Sequence, residues 1–347
     1  MRCKIKDICK PKQWKTISAE MLQEEGYPVY GANGVIGYYS EYNHENPTLL
    51  VTCRGATCGS LNICQPYSYV NGNAMALDEL RSDVNIKYLY YYLNARGFND
   101  VISGSAQPQI TRSAIEQVEI EVKSEAEQKE VVNKLELVES MISAGKEQLL
   151  GLDNLIKSRF VEMFGDTVMN SMKWEEHFLN EYVTFLTSGS RGWAQYYTDE
   201  CGEVFITIKN VKNNHISLDN VQYINAPNNK EAQRTKVQTG DLLISITADL
   251  GRTGVVEEDI ATMGAYINQH LSLVRLDSSK INPLYVSYFL ETDGGKRQFE
   301  SKNQNGVKAG LNFDAIKSLK ILVPPLELQN DYLDFVASVD KLKVAYT

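Results

Sequence analysis

The sequence predicts an α+β protein made of two similar modules and a long connecting helix, on three observations. The first is internal repetition: Asn85-Ile-Lys-Tyr-Leu-Tyr-Tyr-Tyr-Leu93 returns as Asn282-Pro-Leu-Tyr-Val-Ser-Tyr-Phe-Leu290, 113–122 returns as 314–323, and 49–59 is echoed by 242–254. The offset drifts only from 193 (242 − 49) to 201 (316 − 115). That period is too long for a solenoid and describes duplicated domains. The second is that each repeat mixes short strand-like runs with a helix without strict βαβ alternation, which favours α+β. The third is a sustained heptad pattern over 124–164.

Taken in order, each repeat opens with short apolar runs broken by Gly, Asn and Pro. Examples are Tyr27-Pro-Val-Tyr-Gly-Ala-Asn-Gly-Val-Ile-Gly-Tyr-Tyr39 and Val204-Phe-Ile-Thr-Ile-Lys-Asn-Val211. Gly and Asn tolerate positive φ, so 31–37 reads as turns between strands. The run Leu242-Leu-Ile-Ser-Ile-Thr247 reads as a strand after a Gly240-Asp241 turn. A Tyr/Leu-rich helix follows at about 85–97 and 282–298, with aromatics on its buried stripe. The tyrosines have helical spacing, so they are expected to be core rather than a stacking platform for unpaired bases. A polar loop and a last strand, 118–122 or 319–323, close each repeat.

From Gln128, steps of three and four reach Val131, Leu135, Val138, Ile142, Gly145, Leu149, Leu152, Ile156, Arg159 and Met163. This is a heptad seam with weak steps at Gly145 and Arg159. Ser124 and Glu127 form a capping box at its start, and Gly165 supplies the stop. A stripe of this kind needs a partner helix, and the second repeat offers one in 326–346, with Val131, Leu135 and Val138 mapping onto Tyr332, Val336 and Val339. The second helix is much shorter, so the seam beyond Gly145 is expected to lack a partner within the chain. The expected divisions are 1–123, 124–165, 166–324 and 325–347.

Composition narrows the function. With 347 residues and 43% hydrophobic content, each module can bury a core. No run of about 18 apolar residues suggests a membrane span, and the N-terminus has no secretory apolar segment, so the cytoplasm is expected. The six cysteines form no C-x-x-C pair and only four histidines are present, which argues against zinc and for reduced thiols. The chain lacks a G-x-x-x-x-G-K-[ST] loop, H-E-x-x-H and G-x-S-x-G, so no ATP site or catalytic residue is expected. Asn282-Pro-Leu-Tyr285 is close to an adenine-gripping N-P-P-Y signature. Its repeat mate Asn85-Ile-Lys-Tyr88 and the lack of a glycine-rich cofactor loop make it a helix start with an early proline. A net charge of −9 counts against nucleic-acid binding by bulk electrostatics.

The helix starts Glu127-Gln-Lys-Glu-Val-Val-Asn-Lys-Leu135 and Pro324-Pro-Leu-Glu-Leu-Gln329, with Phe335-Val-Ala-Ser-Val-Asp-Lys341, resemble the specificity subunit of type I restriction–modification enzymes. The resemblance covers essentially the whole chain. It implies two target-recognition domains held apart by an antiparallel pair of conserved helices, each domain reading half of a bipartite, asymmetric site in double-stranded DNA. It also implies docking of two adenine methyltransferase subunits, which carry the S-adenosylmethionine, and a restriction translocase that can join. The chain itself would hold no cofactor. The short second helix departs from the pattern and bears on methyltransferase docking.

Base reading uses Arg or Lys on guanine and Asn or Gln on adenine. In the first repeat the candidates are Arg54, Thr57, Asn71, Asn73, Gln107 and Gln109. In the second they are Arg191, Thr247, Arg252, Gln269, Gln304 and Lys308, with Thr253, Asn268, His270 and Asn305 alongside. Arg112, Lys302 and Lys308 suit phosphate better than bases. Turn building by Gly, Asn and Gln is the competing reading, above all for Asn71, Asn73 and Asn268. The expected partner-binding residues are Leu135, Val138, Ile142, Leu149, Leu152, Ile156, Val336 and Val339. The alternatives are a scaffold joining two proteins without DNA, which the acidic charge favours, and an inactive or truncated specificity subunit; a self-contained methyltransferase is disfavoured by the missing cofactor loop.

Overall fold

The computed structural model describes residues 1–104, 107–199, 202–303 and 310–344. The chain divides into two compact units, Met1–Ala144 and Gly145–Thr347. The first unit contains β1 (Arg2–Lys4), β2 (Lys10–Gln13), β3 (Tyr27–Gly31), β4 (Gly34–Tyr39), β5 (Leu49–Thr52), β6 (Leu61–Ile63), β7 (Tyr69–Val70) and β8 (Ala74–Asp78). Helices α1 (Ile86–Arg96) and α2 (Arg112–Glu116), strand β9 (Glu119–Glu121) and the 40-residue α3 (Glu125–Phe164) follow, the division falling within α3.

The second unit continues with β10 (Glu176–Phe178), β11 (Val183–Ser188), β12 (Tyr197–Thr198), β13 (Glu203–Ile206), β14 (Val211–Lys212), β15 (His215–Ile216) and β16 (Gln222–Ile224). Then come α4 (Lys230–Thr235), β17 (Leu242–Ser245), β18 (Thr253–Val255), α5 (Glu258–Met263), β19 (Ala265–Ile267) and β20 (Leu271–Leu276). Helices α6 (Pro283–Glu291), α7 (Asp293–Lys302) and α8 (Phe313–Lys317), strand β21 (Lys320–Leu322) and α9 (Leu326–Val344) complete it.

The duplication holds at the level of strand order. The sheet β2-β8-β5-β6 corresponds to β11-β20-β17-β18, and the antiparallel pair β1·β9 to β10·β21. A parallel pair, β3·β7 in one unit and β13·β19 in the other, anchors the second sheet of each. The central strands β5 and β17 are buried throughout, as apolar runs in mid-sheet should be. Among the described residues, helices α5 and α7 have no counterparts in the first unit, and they account for the drift in offset.

Side-chain bonding repeats as well. Asn85 caps α1 by accepting from the Lys87 and Tyr88 amides, and Asn282 caps α6 from the Leu284 amide, with Pro283 at its first position. Tyr88 donates its hydroxyl to the Glu121 carbonyl at 2.8 Å, and Tyr285 to Leu322 at 2.9 Å. Both tyrosines are buried core, Tyr90 and Tyr92 are half-buried against it, and Tyr91 donates its hydroxyl to Glu139 at 2.6 Å on the surface. Gln128, enclosed at the start of α3, accepts from the Asn85 amide and donates to the Asp83 and Lys123 carbonyls. Gln329, at the start of α9, accepts from Asn282 and donates to Pro324. Ser124 and Glu127 do form the capping box of α3.

The seam differs from its expected course in two respects. Within the second unit, α9 runs antiparallel to the end of α3: Tyr332 packs edge-on against Phe160 and Phe164, while Lys343 pairs with Asp153 at 2.8 Å. The part of the seam beyond Gly145 is therefore the part that finds a partner, because the antiparallel direction brings the start of α9 to the end of α3. The second difference is register. Buried Ile156, Phe160 and Phe164 follow steps of four, which displace the expected Arg159 and Met163. Arg159 instead lies over the Phe335 ring. Val336 and Val339 are buried in this packing, Leu149 and Leu152 are half-buried, and Leu135, Val138 and Ile142 are exposed.

Candidate nucleic-acid interface

In the first unit the expected base-reading residues converge on Cys53, the residue after β5. Its amide donates to the Asn73 carbonyl at 3.1 Å, and its carbonyl accepts from the Ile110 amide at 3.0 Å. The Gly55 amide reaches the Pro108 carbonyl at 3.0 Å, and Arg54 faces Gln109 in an isolated antiparallel bridge. Three loops distant in sequence thus present Arg54, Thr57, Asn73, Gln107 and Gln109 together, all exposed. Gly55 lets the first loop turn, at φ 91°. Gly72 lets a fourth segment close in, since a Cβ there would sit 2.4 Å from the Thr16 hydroxyl oxygen and 2.8 Å from the Trp14 carbonyl oxygen. That approach adds exposed Lys15 to the cluster, a cation the sequence reading missed.

Asn71 does not belong to the reading set. It is 4% exposed, and its side-chain carbonyl accepts from the Gly72 amide at 2.8 Å and the Ile17 amide at 3.3 Å. Its polar atoms hold the loop in place, so no base edge can reach them. Asn268 has the matching task in the second unit, accepting from the His270 amide at 3.1 Å.

The second unit builds the same scaffold around Ile246. Its amide donates to the His270 carbonyl at 2.9 Å, its carbonyl accepts from Leu311 at 3.0 Å, and Thr247 bridges Gly310. Backbone bonding therefore equates Arg54, Asn73 and Gln109 with Thr247, His270 and Gly310. The side chains differ completely. The Thr247 hydroxyl lies 2.6 Å from His270 Nδ1, and Gln269 Nε2 lies 3.3 Å from His270 Nε2. Gly189 closes against the backbone here too, where a Cβ would meet the Asn268 carbonyl oxygen at 2.0 Å. This places exposed Arg191 beside the loop.

The expected match of Arg54 and Thr57 with Arg252 and Thr253 is corrected by the strand register. Thr253 opposes Ile244 as Leu61 opposes Val51, so Arg252 corresponds to Ser60. Thr253 is fully buried, donating to the Ser287 carbonyl at 3.1 Å, and cannot read a base. Arg252 is exposed and paired with Asp249. Arg112 opens α2 and bonds Glu116 at 2.7 Å, and Lys302 donates to the Ser318 hydroxyl at 2.9 Å. Gln304, Asn305 and Lys308 lie outside the described residues.

Burial pushes the thiols of Cys53 and Cys58 up, and that of Cys9 to about 12, so these are poor nucleophiles at neutral pH. Among the described residues no His, Cys, Asp and Glu grouping could hold a metal ion, and no helix is long and apolar enough to cross a membrane.

The model of the type I restriction modification DNA specificity domain matches residues 1–151 and 172–347. The chain belongs to that family. Its two matches fall on the two repeats. Among curated relatives it is 29% identical over 123 residues to the EcoprrI specificity subunit of Escherichia coli, covering 34% of this chain but only 30% of that protein. To the EcoBI specificity subunit of the same organism it is 19% identical, over 94% of this chain and 70% of the relative. A solved S subunit from M. genitalium aligns over 100% of this chain and 90% of its own, with a TM-score of 0.60 and 16% identity. A chain from a study of complex assembly and conformational transition in the type I system aligns over 99% and 91%, with a TM-score of 0.54 and 14% identity. At these identities the structural likeness concerns the fold.

Proposed function

We propose that this chain is the non-catalytic DNA-reading subunit of a type I restriction–modification system. Each unit reads one half of a bipartite double-stranded site through its loop cluster. One observation carries this reading: both units repeat the backbone bonds around Cys53 and Ile246, yet present different side chains at the equivalent positions. A shared scaffold with divergent side chains, exposed in the first unit and half-buried in the second, suits two readers of different sequences, which makes the target asymmetric. Arg54 suits guanine, while Asn73 and Gln109 suit adenine.

The partners that follow are two adenine methyltransferase subunits, with a restriction translocase able to join, in the cytoplasm. S-adenosylmethionine would sit in the methyltransferase, and this chain would need no cofactor. The exposed stretch of α3 that includes Leu135, Val138 and Ile142 is the docking face for such subunits. With a net charge of −9, the chain alone should grip phosphates weakly and a partner should supply the missing cations. Gel shifts on duplex libraries test this. The chain alone should bind weakly, and adding the methyltransferase should tighten sequence-selective binding strongly. No selective shift in either state would favour the second reading, a scaffold joining two proteins, which the acidic charge supports.

A further inference from the structure

The segment 16–53 contains no Lys or Arg and five glutamates, Glu20, Glu24, Glu25, Glu41 and Glu45. Within it and just beyond, three tyrosines stack edge to face on the surface. Tyr27 and Tyr42 have ring centroids 4.9 Å apart at 71°, and Tyr42 and Tyr67 lie 5.3 Å apart at 84°. They are 38%, 37% and 52% exposed.

The platform is held firmly from below. The Asn43 and His44 amides donate to the Ser68 carbonyl at 3.1 and 3.0 Å, and the Asn43 amide group bonds both backbone atoms of Val70. His44, 7% exposed, is fixed between Asn43 and Asp78. Tyr67 has φ 55°, a left-handed conformation that is uncommon for an aromatic residue. The strain costs this unit stability and the three rings stay wet, and both are features that accompany binding surfaces.

We infer that the Tyr27–Tyr42–Tyr67 ladder is a docking surface for an arginine- and lysine-bearing protein segment. Its rings would receive guanidinium or ammonium groups on their faces, and the neighbouring glutamates would pair with them. The acidic composition of this segment, with Glu45 beside Tyr42, decides against the other occupants. Unpaired bases also stack on aromatics, but their phosphates need a cationic groove, and this segment has none. A second copy would set glutamates against glutamates. The ladder shares no residue with the Cys53 loop cluster, so the inference does not depend on DNA reading.

Fluorescence anisotropy of a labelled peptide of alternating arginine and glycine, added to the full chain, tests it. Both Y42S/Y67G and E24Q/E25Q/E41Q/E45Q should weaken binding about tenfold or more. Glycine at position 67 relieves the backbone strain, so the fold should persist, as circular dichroism can check. A charge-matched control, E119Q/E125Q/E258Q/E300Q, should bind like the wild type. Equal loss in the control would show a net-charge effect and overturn the inference. So would retained binding in Y42S/Y67G, tighter binding of oligothymidine than of the peptide, or self-association lost in Y42S/Y67G.

Discussion

Replacing Gln329 with leucine should cost more stability than the same change at Gln128, although Gln128 makes more hydrogen bonds. Gln329 is fully buried, accepting from the Asn282 amide at 2.9 Å and donating to the buried Pro324 carbonyl at 2.8 Å. Leucine nearly fills the same volume but leaves a donor and an acceptor unpaired where water has poor access. At about 1–3 kcal/mol for each, Q329L should lose about 2–6 kcal/mol. Gln128 makes three bonds, to Asn85, Asp83 and Lys123, at 2.7 to 2.8 Å. Asn85 and Lys123 are exposed and Asp83 is half-buried, so water can replace the lost partner. Q128L should therefore lose about 1.5–4.5 kcal/mol, the net worth of about 0.5–1.5 kcal/mol for each of three solvated bonds, and less than Q329L. Urea unfolding gives the totals, and hydrogen exchange over the α1–α3 and α6–α9 starts assigns each loss to its unit. A Q128L loss equal to or above that of Q329L would refute the reasoning.

Three further outcomes are expected. Tyr332→Ala removes a fully buried ring that packs on Phe160, Phe164 and Tyr288, and should cost about 3–5 kcal/mol by thermal or urea unfolding. Asn71→Ala should destabilise the first unit by about 1–3 kcal/mol, whereas exposed Asn73→Ala should stay within about 0.5 kcal/mol while changing DNA selectivity; gel shifts and unfolding curves together separate the two roles. His177 bonds Glu181 at 3.0 Å and Glu175 at 3.3 Å, which hold its pKa above the usual 6.5. A raised folded-state value means that its contribution is fully present below about pH 6.5 and lost as pH rises through the folded pKa; H177Q should abolish that dependence, and an NMR titration of the ring gives the value.

The sequence revealed what local chemistry dictates. The Ser124–Glu127 box, the Asn85 and Asn282 caps and the Tyr88–Tyr285 stripe follow from short-range rules, and all sit where those rules put them. The helix pairing was legible as a need for a partner but not in its register, because Arg159 and Phe160 are adjacent and only packing against Tyr332 chooses between steps of three and four. The loop cluster was legible by residue type and not by correspondence. Gly59 appeared to match Gly254, yet it is Gly251 whose amide bonds the Ser245 carbonyl, as that of Gly59 bonds Thr52. An insertion containing α5 then hides the equivalence of Asn73 with His270. Lys15 stayed invisible because its place depends on the missing side chain of Gly72, a contact across more than fifty residues.

On the proposed function, Arg54, Asn73 and Gln109 in one unit and Thr247, His270 and Gly310 in the other occupy equivalent positions in the readers of two half-sites. Mapping methylated adenines in cells that carry the partner methyltransferase tests it, using the wild type, R54T/N73H/Q109G and T247R/H270N/G310Q. Among the described residues Gly310 has room for the exchange, since the nearest neighbour there would be the Ile246 carbonyl oxygen, 3.4 Å from an added Cβ. The account predicts that each triple variant changes only one half of the methylated motif, and a different half in each case. An unchanged motif in both variants, or simultaneous change of both halves in either, would contradict it.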